Sequence, residues 1–157
     1  MMVTSTLRGV LCYTSDMKKK TRSQLVKEFD KVFSIYIRRR YGDDATCVTC
    51  GVTKPWKEMQ AGHFFSRGRY PTRWTEQNVH VQCYRCNVLL KGNYINYTRY
   101  MINRYTMEGV DALERKSVDG SKVSTPDLRW LIDVYKDRIK ELDTIPNTLD
   151  KLPEFGV

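Results

Sequence analysis

Two Cys-x-x-Cys pairs, Cys47/Cys50 and Cys83/Cys86, enclose residues 51–82 and set the strongest constraint on how this 157-residue chain can fold. A two-residue spacer lets both sulfurs of a turn face one ion, and four thiolates at about 2.3 Å make a closed tetrahedral zinc site. With no open coordination position, such a site organises structure and does no chemistry. Here it would clamp the turn at Cys47–Gly51 to the start of a later helix. A thioredoxin-like redox pair, an iron–sulfur cluster and buried thiols are the competing readings, and each makes the paired spacing a coincidence. Cys12 stands apart and reads as a free thiol. An odd cysteine count without a secretion signal argues against a disulfide framework.

The length suits a single domain with a real core, given a 41% hydrophobic fraction with 10 Tyr, 5 Phe and 3 Trp. No run approaches the ~20 apolar residues that a membrane span needs. The first fifteen residues lack the basic start and apolar run of a signal peptide, so the expectation is a soluble, intracellular protein. Twenty-seven Lys and Arg against 18 Asp and Glu give a net charge of +9, and the pI is about 9.4. That excess favours a polyanionic partner, because each phosphate neutralised releases counterions. Charge alone does not decide, since many basic proteins bind no nucleic acid. Its distribution says more: Lys18 to Arg22 and Arg38, Arg39, Arg40 form clusters, and Arg67, Arg69 and Arg73 mark the middle of the chain. A solvated helix face or a generic polar loop is the bland alternative for these groups.

Periodicity divides the chain into an arm (1–17), a domain with flanking helices (18–145) and a tail (146–157). Leu25, Phe29, Val32, Phe33, Tyr36 and Ile37 recur at helical spacing and predict a helix over 18–41, ended by Gly42, Asp43 and Asp44. Residues 56–65 have hairpin character, and a loop rich in Arg, Gly and Pro follows over 66–74. A strand over 78–82 would put Val79 and Val81 on one face, with Asn78, His80 and Gln82 on the other. Cys83 to Cys86 would open a helix through Leu90, interrupted near Gly92 and Asn93. The apolar pattern resumes at Tyr97, Tyr100, Met101, Ile102 and Tyr105, and a short helix is expected over 108–116. Thr125, Pro126 and Asp127 announce a last helix by a hydroxyl cap, an early proline and an acid near the positive dipole end.

Between the cysteine pairs lie Gly62-His63-Phe64, then Asn78, then Cys83-x-x-Cys86-Asn87. Together with FSIYIRRR and the knuckle CVTCG, the run AGHFFSRGRYPTRWTEQNVHVQCYRCN closely resembles the phage NinG (Rap) family of recombination endonucleases over residues 27–114. More loosely it resembles the endonuclease VII type of phage resolvase. The resemblance implies an α+β fold: a ββα-metal (HNH, His-Me finger) core with a four-cysteine zinc site, flanked by N- and C-terminal helices. It implies a DNA endonuclease acting on branched recombination intermediates such as Holliday junctions or flaps, working in the host cytoplasm. It makes His63 the general base, Asn87 the ligand of a catalytic divalent ion, and Asn78 the residue that holds the hairpin loop.

A neutral histidine can accept a water's proton near neutral pH. An oxygen-ligand site kept largely hydrated suits Mg²⁺, with Mn²⁺ a substitute. Arg67, Arg69 and Arg73, with Arg38, Arg39 and Arg40, are the candidate phosphate contacts. Many HNH enzymes carry a second metal ligand just before the base, where this chain has Gly62. Glu58 or Glu76 is the candidate replacement. His80 shares a strand face with Asn78, so it either touches the site or is an ordinary strand residue. Asn87 could instead cap a helix, and Trp56, Trp74, Tyr97, Tyr100 and Tyr105 read as core. The alternative functions are a homing or restriction-type HNH nuclease and a non-catalytic zinc-finger DNA-binding protein. A homodimer formed through the flanking helices is a further expectation, because resolving a four-way junction takes two coordinated cuts.

Overall fold

The computed structural model describes residues 20–144. The expectations for residues 1–17, for Cys12 and for the tail at 146–157 lie outside them. The first helix, α1 (Arg22–Arg39), starts later than the periodicity suggested because Thr21 caps it. The Thr21 hydroxyl accepts from the Gln24 backbone N–H while the Gln24 side chain accepts from the Thr21 N–H. Leu25, Phe29, Val32, Phe33 and Ile37 are buried along one face, as their spacing requires.

Two short antiparallel pairs follow. In the first, β1 (Asp44–Thr46) pairs with β2 (Thr53–Pro55), and their tip is the cysteine turn. That turn closes through Gly51 N–H to Cys47 O at 2.9 Å, with Gly51 at φ 76°, a conformation that favours glycine. The second pair joins β3 (Met59–His63) to β4 (Val79–Cys83), with Gly62 opposite His80 and His63 opposite Val79.

Every residue of β4 is buried, because both faces of this hairpin are covered. Val79 and Val81 enter a core with α1 and with Leu128, Ile132 and Tyr135 of the last helix. His80 and Gln82 face the other way, His80 toward α2 (Tyr94–Ser117) and Gln82 toward Thr49 and Gly92, and α2 shares a second core of Phe64, Phe65, Tyr97, Met101 and Leu113. Burial of these aromatic and branched side chains, each about 1.5–3 kcal/mol, is what holds the hairpin between helices.

The helix expected from Cys83 is shorter and wider than predicted. Residues Arg85–Leu89 form a single π-helical turn, closed by Leu90 N–H to Arg85 O at 2.9 Å. Positive φ at Lys91, Gly92 and Asn93 then breaks the chain where the glycine signalled a break. Inside α2, Thr106 (φ 62°, ψ 167°) makes a kink, and the second half covers the short helix expected at 108–116. The last helix, α3 (Thr125–Thr144), is capped by Ser124, whose Oγ accepts from Asp127 N–H at 3.2 Å. Thr125, the predicted cap, is already its first residue. Among the described residues no helix is long and apolar enough to cross a membrane.

Candidate functional site

The four cysteines converge although Cys50 and Cys83 lie 33 positions apart in sequence. All four sulfurs lie within 4.8 Å of one another, and Cys50 Sγ is 3.8 Å from Cys83 Sγ. Tetrahedral ligation with Zn–S near 2.3 Å requires sulfurs about 3.8 Å apart, so this set could hold a structural metal such as zinc. Short donors already face the sulfurs. Asn93 Nδ2 donates to Cys86 Sγ at 3.4 Å, and Thr49 Oγ1 lies 3.2 Å from Cys47 Sγ. Burial opposes ionisation of Cys47, yet hydrogen bonds from Thr49 and the backbone outweigh it and bring the thiol pKa down to about 7. Burial, with the neighbouring thiols adding to it, pushes Cys50 up to about 12, so without an ion the cluster retains protons that metal binding would release.

Beside this cluster, α1 and β3 bound a groove with two adjoining recesses. One is lined by Asp30, Phe33, Ser34, Ala61, His63, Arg67 and Trp74. The other, about 420 Å³, contains Asn87, Gln60, Arg38 and Lys57 and shares Ser34, Ala61 and Arg67 with the first. His63 and Asn87 therefore open on one continuous surface.

His63 ends β3, and its ring is fixed by the loop that follows. Arg73 O lies 2.9 Å from Nε2. A carbonyl can only accept, so Nε2 carries the proton and Nδ1 keeps its lone pair. The His63 pKa is lowered by burial, with the Arg67 charge adding to the effect and the Arg73 carbonyl opposing it. A neutral imidazole with an acceptor nitrogen is the form a general base requires.

Asn78 is fully buried and spans the loop: it accepts from Phe65 N–H at 2.7 Å and donates to Phe65 O and Thr72 O at 2.9 and 3.0 Å. All three bonds brace the segment that delivers Arg73 O to His63. Asn87 sits on the π-helical turn and donates from Nδ2 to Gln60 Oε1 at 2.6 Å. Its Oδ1 is thereby oriented as the remaining acceptor, the atom that would ligate a hard divalent cation.

Neither glutamate offered as a second ligand lines the groove. Glu58 pairs with Lys54 on the surface, and Glu76 is held by Arg40, Tyr135 and Arg138. Gly62 has a steric reason: a Cβ there would lie 2.0 Å from Gln82 Oε1. The Gln82 side chain is buried, with Nε2 donating to Gly92 O at 2.8 Å.

The six arginines separate sharply. Arg67 and Arg38 line the groove, although Arg38 also donates to Ser34 O, Trp56 O and Met59 O. Arg73 forks onto Asp30 at 3.0 and 2.5 Å, Arg69 donates to Ser117 Oγ at 2.7 Å, and Arg39 pairs with Asp143. Arg40 is only 7% exposed and pairs with Glu76, so the fold uses it internally. His80 does not reach the groove either. It is buried between Tyr97 Oη (3.0 Å) and Tyr105 Oη (2.9 Å), and burial takes its pKa down to about 3. Tyr97 in turn donates to Gly62 O at 2.8 Å, tying α2 to the residue before His63. Asp30, Gln60 and Lys57 were not singled out from sequence, since no local motif marks them.

Comparison with known proteins identifies the family of the chain. The family described as Bacteriophage Lambda NinG protein matches residues 14–144. The chain is 31% identical over 124 residues to "Protein ninG" of Escherichia phage 933W, covering 78% of this chain and 60% of that protein. To "Protein ninG" of Escherichia phage lambda it is 34% identical over 124 residues, covering 78% and 59%. To that of Salmonella phage P22 it is 29% identical, covering 78% and 60%. The chain thus spans about 60% of the length of these curated relatives. No solved structure matches it. With the family match running through both cysteine pairs and the groove, the chain belongs to the NinG family of phage proteins.

Proposed function

We propose that this chain is a metal-dependent DNA endonuclease of the HNH (His-Me finger) type, hydrolysing phosphodiester bonds in branched recombination intermediates in the host cytoplasm. The observation that carries the reading is that His63, neutral with Nδ1 free to accept, and Asn87, with Oδ1 left as acceptor, open on adjoining recesses of one groove. In this mechanism His63 Nδ1 takes the proton of the attacking water. Asn87 Oδ1 would hold Mg²⁺ or Mn²⁺, which when bound supplies charge relief at the phosphate and stabilises the leaving 3′-oxygen. Arg67, Arg38 and Lys57 neutralise phosphates along the groove. Asn78 keeps the loop, and with it the His63 tautomer, in place. Zinc on the four cysteines would hold the Asn87 turn against the hairpin. The branched substrate rests on the resemblance of the run from Gly62 to Asn87 to phage recombination endonucleases.

The test incubates the protein and a His63→Ala variant with Holliday-junction, flap and linear duplex DNA, with and without added Mg²⁺. Mg²⁺-dependent cutting of branched DNA that the substitution abolishes is expected. Cutting that survives the substitution, or none by the wild type, would sink the mechanism, and binding without cutting would favour a zinc-finger DNA-binding protein. Equal cutting of all three DNAs would remove only the branch preference.

A further inference from the structure

The segment that carries Asn87 also carries apolar side chains that the described residues leave exposed. Tyr84, Val88, Leu89, Leu90, Tyr94 and Ile95 are all exposed, Leu89 to 64% and Ile95 to 71%. Scattered single apolar residues on a surface need no explanation, but six within twelve positions are a concentration that calls for one. Tyr94 is also pre-set. Its ring stacks on buried Phe64 at 5.1 Å with only 5° between the planes, while 55% of the residue stays exposed. One face is thus spoken for and the flat outer face is presented to a further ring.

Charge decides what such a surface accepts. From residue 77 to residue 107 the sequence contains no Asp or Glu, but it holds Arg85, Lys91, Arg99 and Arg104. Arg85, Lys91 and Arg99 are exposed. A second copy meeting this face across a two-fold axis would bring those cations against their own counterparts. A polyanion carrying flat apolar rings meets both demands, and opened DNA is that chemistry. Its phosphates suit the arginines, and its bases suit the tyrosine plane and the aliphatic tips.

We propose that this surface docks unstacked bases at a DNA branch, with Tyr94 as the stacking platform and Leu89 and Ile95 as wedges beside the Asn87 groove. The proposal rests on the nuclease reading for its substrate and extends it by naming how a branch is told from plain duplex. Leu89 and Asn87 are two residues apart, so bases held here would lie within about 8 Å of chain from the candidate ligand.

The experiment measures binding, with Ca²⁺ in place of Mg²⁺, to a four-way junction carrying 2-aminopurine beside the branch point and to a linear duplex of equal length. Wild-type protein should raise 2-aminopurine fluorescence on the junction. Leu89→Ser and Ile95→Ser, both at exposed positions outside the cores, should each abolish most of that rise and weaken junction binding about tenfold. Duplex binding should change less than twofold. Unchanged fluorescence and junction affinity in both variants would overturn the proposal. So would variants that merely dissociate a wild-type dimer in sedimentation, which would assign the face to a second copy. A wild type that cuts junctions without any fluorescence rise defeats this surface alone. One that unstacks the branch yet never cuts supports the surface and defeats the nuclease reading, and one that binds no DNA defeats both.

Discussion

Gln60 Oε1 accepts the Asn87 Nδ2–H at 2.6 Å, across the gap between β3 and the π-helical turn. An asparagine amide can present either an oxygen or an N–H₂ to a neighbour, and only the oxygen attracts a cation. By engaging Nδ2, Gln60 decides which end of Asn87 faces the groove.

Replacing Gln60 with Ala should therefore raise the Mn²⁺ concentration needed for half-saturation by about tenfold, as loss of partners that orient ligands does elsewhere. Gln60→Glu keeps the acceptor and should retain binding. Mn²⁺ titration followed by electron paramagnetic resonance, on a His63→Ala background with uncut branched DNA bound so that a phosphate completes the ion's ligands, checks both variants. Equal Mn²⁺ affinity in Gln60→Ala and wild type would show that Asn87 needs no such guide.

Gly62→Ala tests the close approach of Gln82. The added Cβ meets Gln82 Oε1 at 2.0 Å, and that side chain is anchored by its bond to Gly92 O. Overpacking of this kind costs about 1–3 kcal/mol. Urea unfolding should show the loss, and Gln82→Ser in the same chain should recover part of it. A fully stable Gly62→Ala would mean the hairpin has room that the structure denies.

The chain contains two histidines, which makes their titration readable by NMR. His63 should titrate below 6.5, and His80 should stay neutral down to about pH 3. Both folded values lie below the unfolded one, so the unfolded chain binds the proton first as pH falls. The stability these neutral rings contribute is complete above about pH 6.5. It declines as pH drops toward their folded pKa values, by up to about 1.4 kcal/mol per unit for each ring. Activity that needs neutral His63 should rise through its lowered pKa and level off by neutral pH. An activity optimum on the acid side of that pKa would contradict a base role.

Metal removal should act on the fold before it acts on chemistry. The four sulfurs join the β1–β2 tip to the end of β4 and to the turn bearing Asn87. The purified protein should carry about one zinc per chain by elemental analysis. A zinc-selective chelator should abolish cooperative unfolding, and Mg²⁺ should not restore it. Cys83→Ser, which removes a buried ligand from β4, should behave like chelation.

What could be read from sequence follows the range of the forces involved. The cysteine pairs, the β4 alternation and the α1 stripe are local patterns, and the structure keeps them with shifts of a few residues at the ends. Whether an arginine is free depends on partners remote in sequence. Arg40 meets Glu76 across 36 positions and Arg73 meets Asp30 across 43, so a basic cluster could not reveal which of its members the interior would take. His80 illustrates the same limit. The alternation sets it on the strand face opposite Val79 and Val81, but the tyrosines that bury it come from α2. The π-helical turn had no visible signal, because the Cys-x-x-Cys spacing suits an ordinary helix start equally well.

Asp30 supplies the last and most direct test of how His63 is held. Its carboxylate accepts from Arg73 Nε and Nη2 and from Trp74 Nε1 at 3.0, 2.5 and 2.9 Å, and Arg73 O is the atom that fixes the His63 tautomer. Asp30→Ala leaves a partly buried guanidinium without its fork and should cost about 1.5–3 kcal/mol by urea unfolding. Asp30→Asn is the sharper probe, because it keeps an acceptor for Trp74 while removing the charge. The Asp30 charge raises the His63 pKa against the larger lowering by burial. Removing it should move the NMR titration of His63, and the acid limb of the activity profile, together to lower pH. If the NMR titration moves and the activity limb stays, His63 is not the group whose ionisation limits cutting.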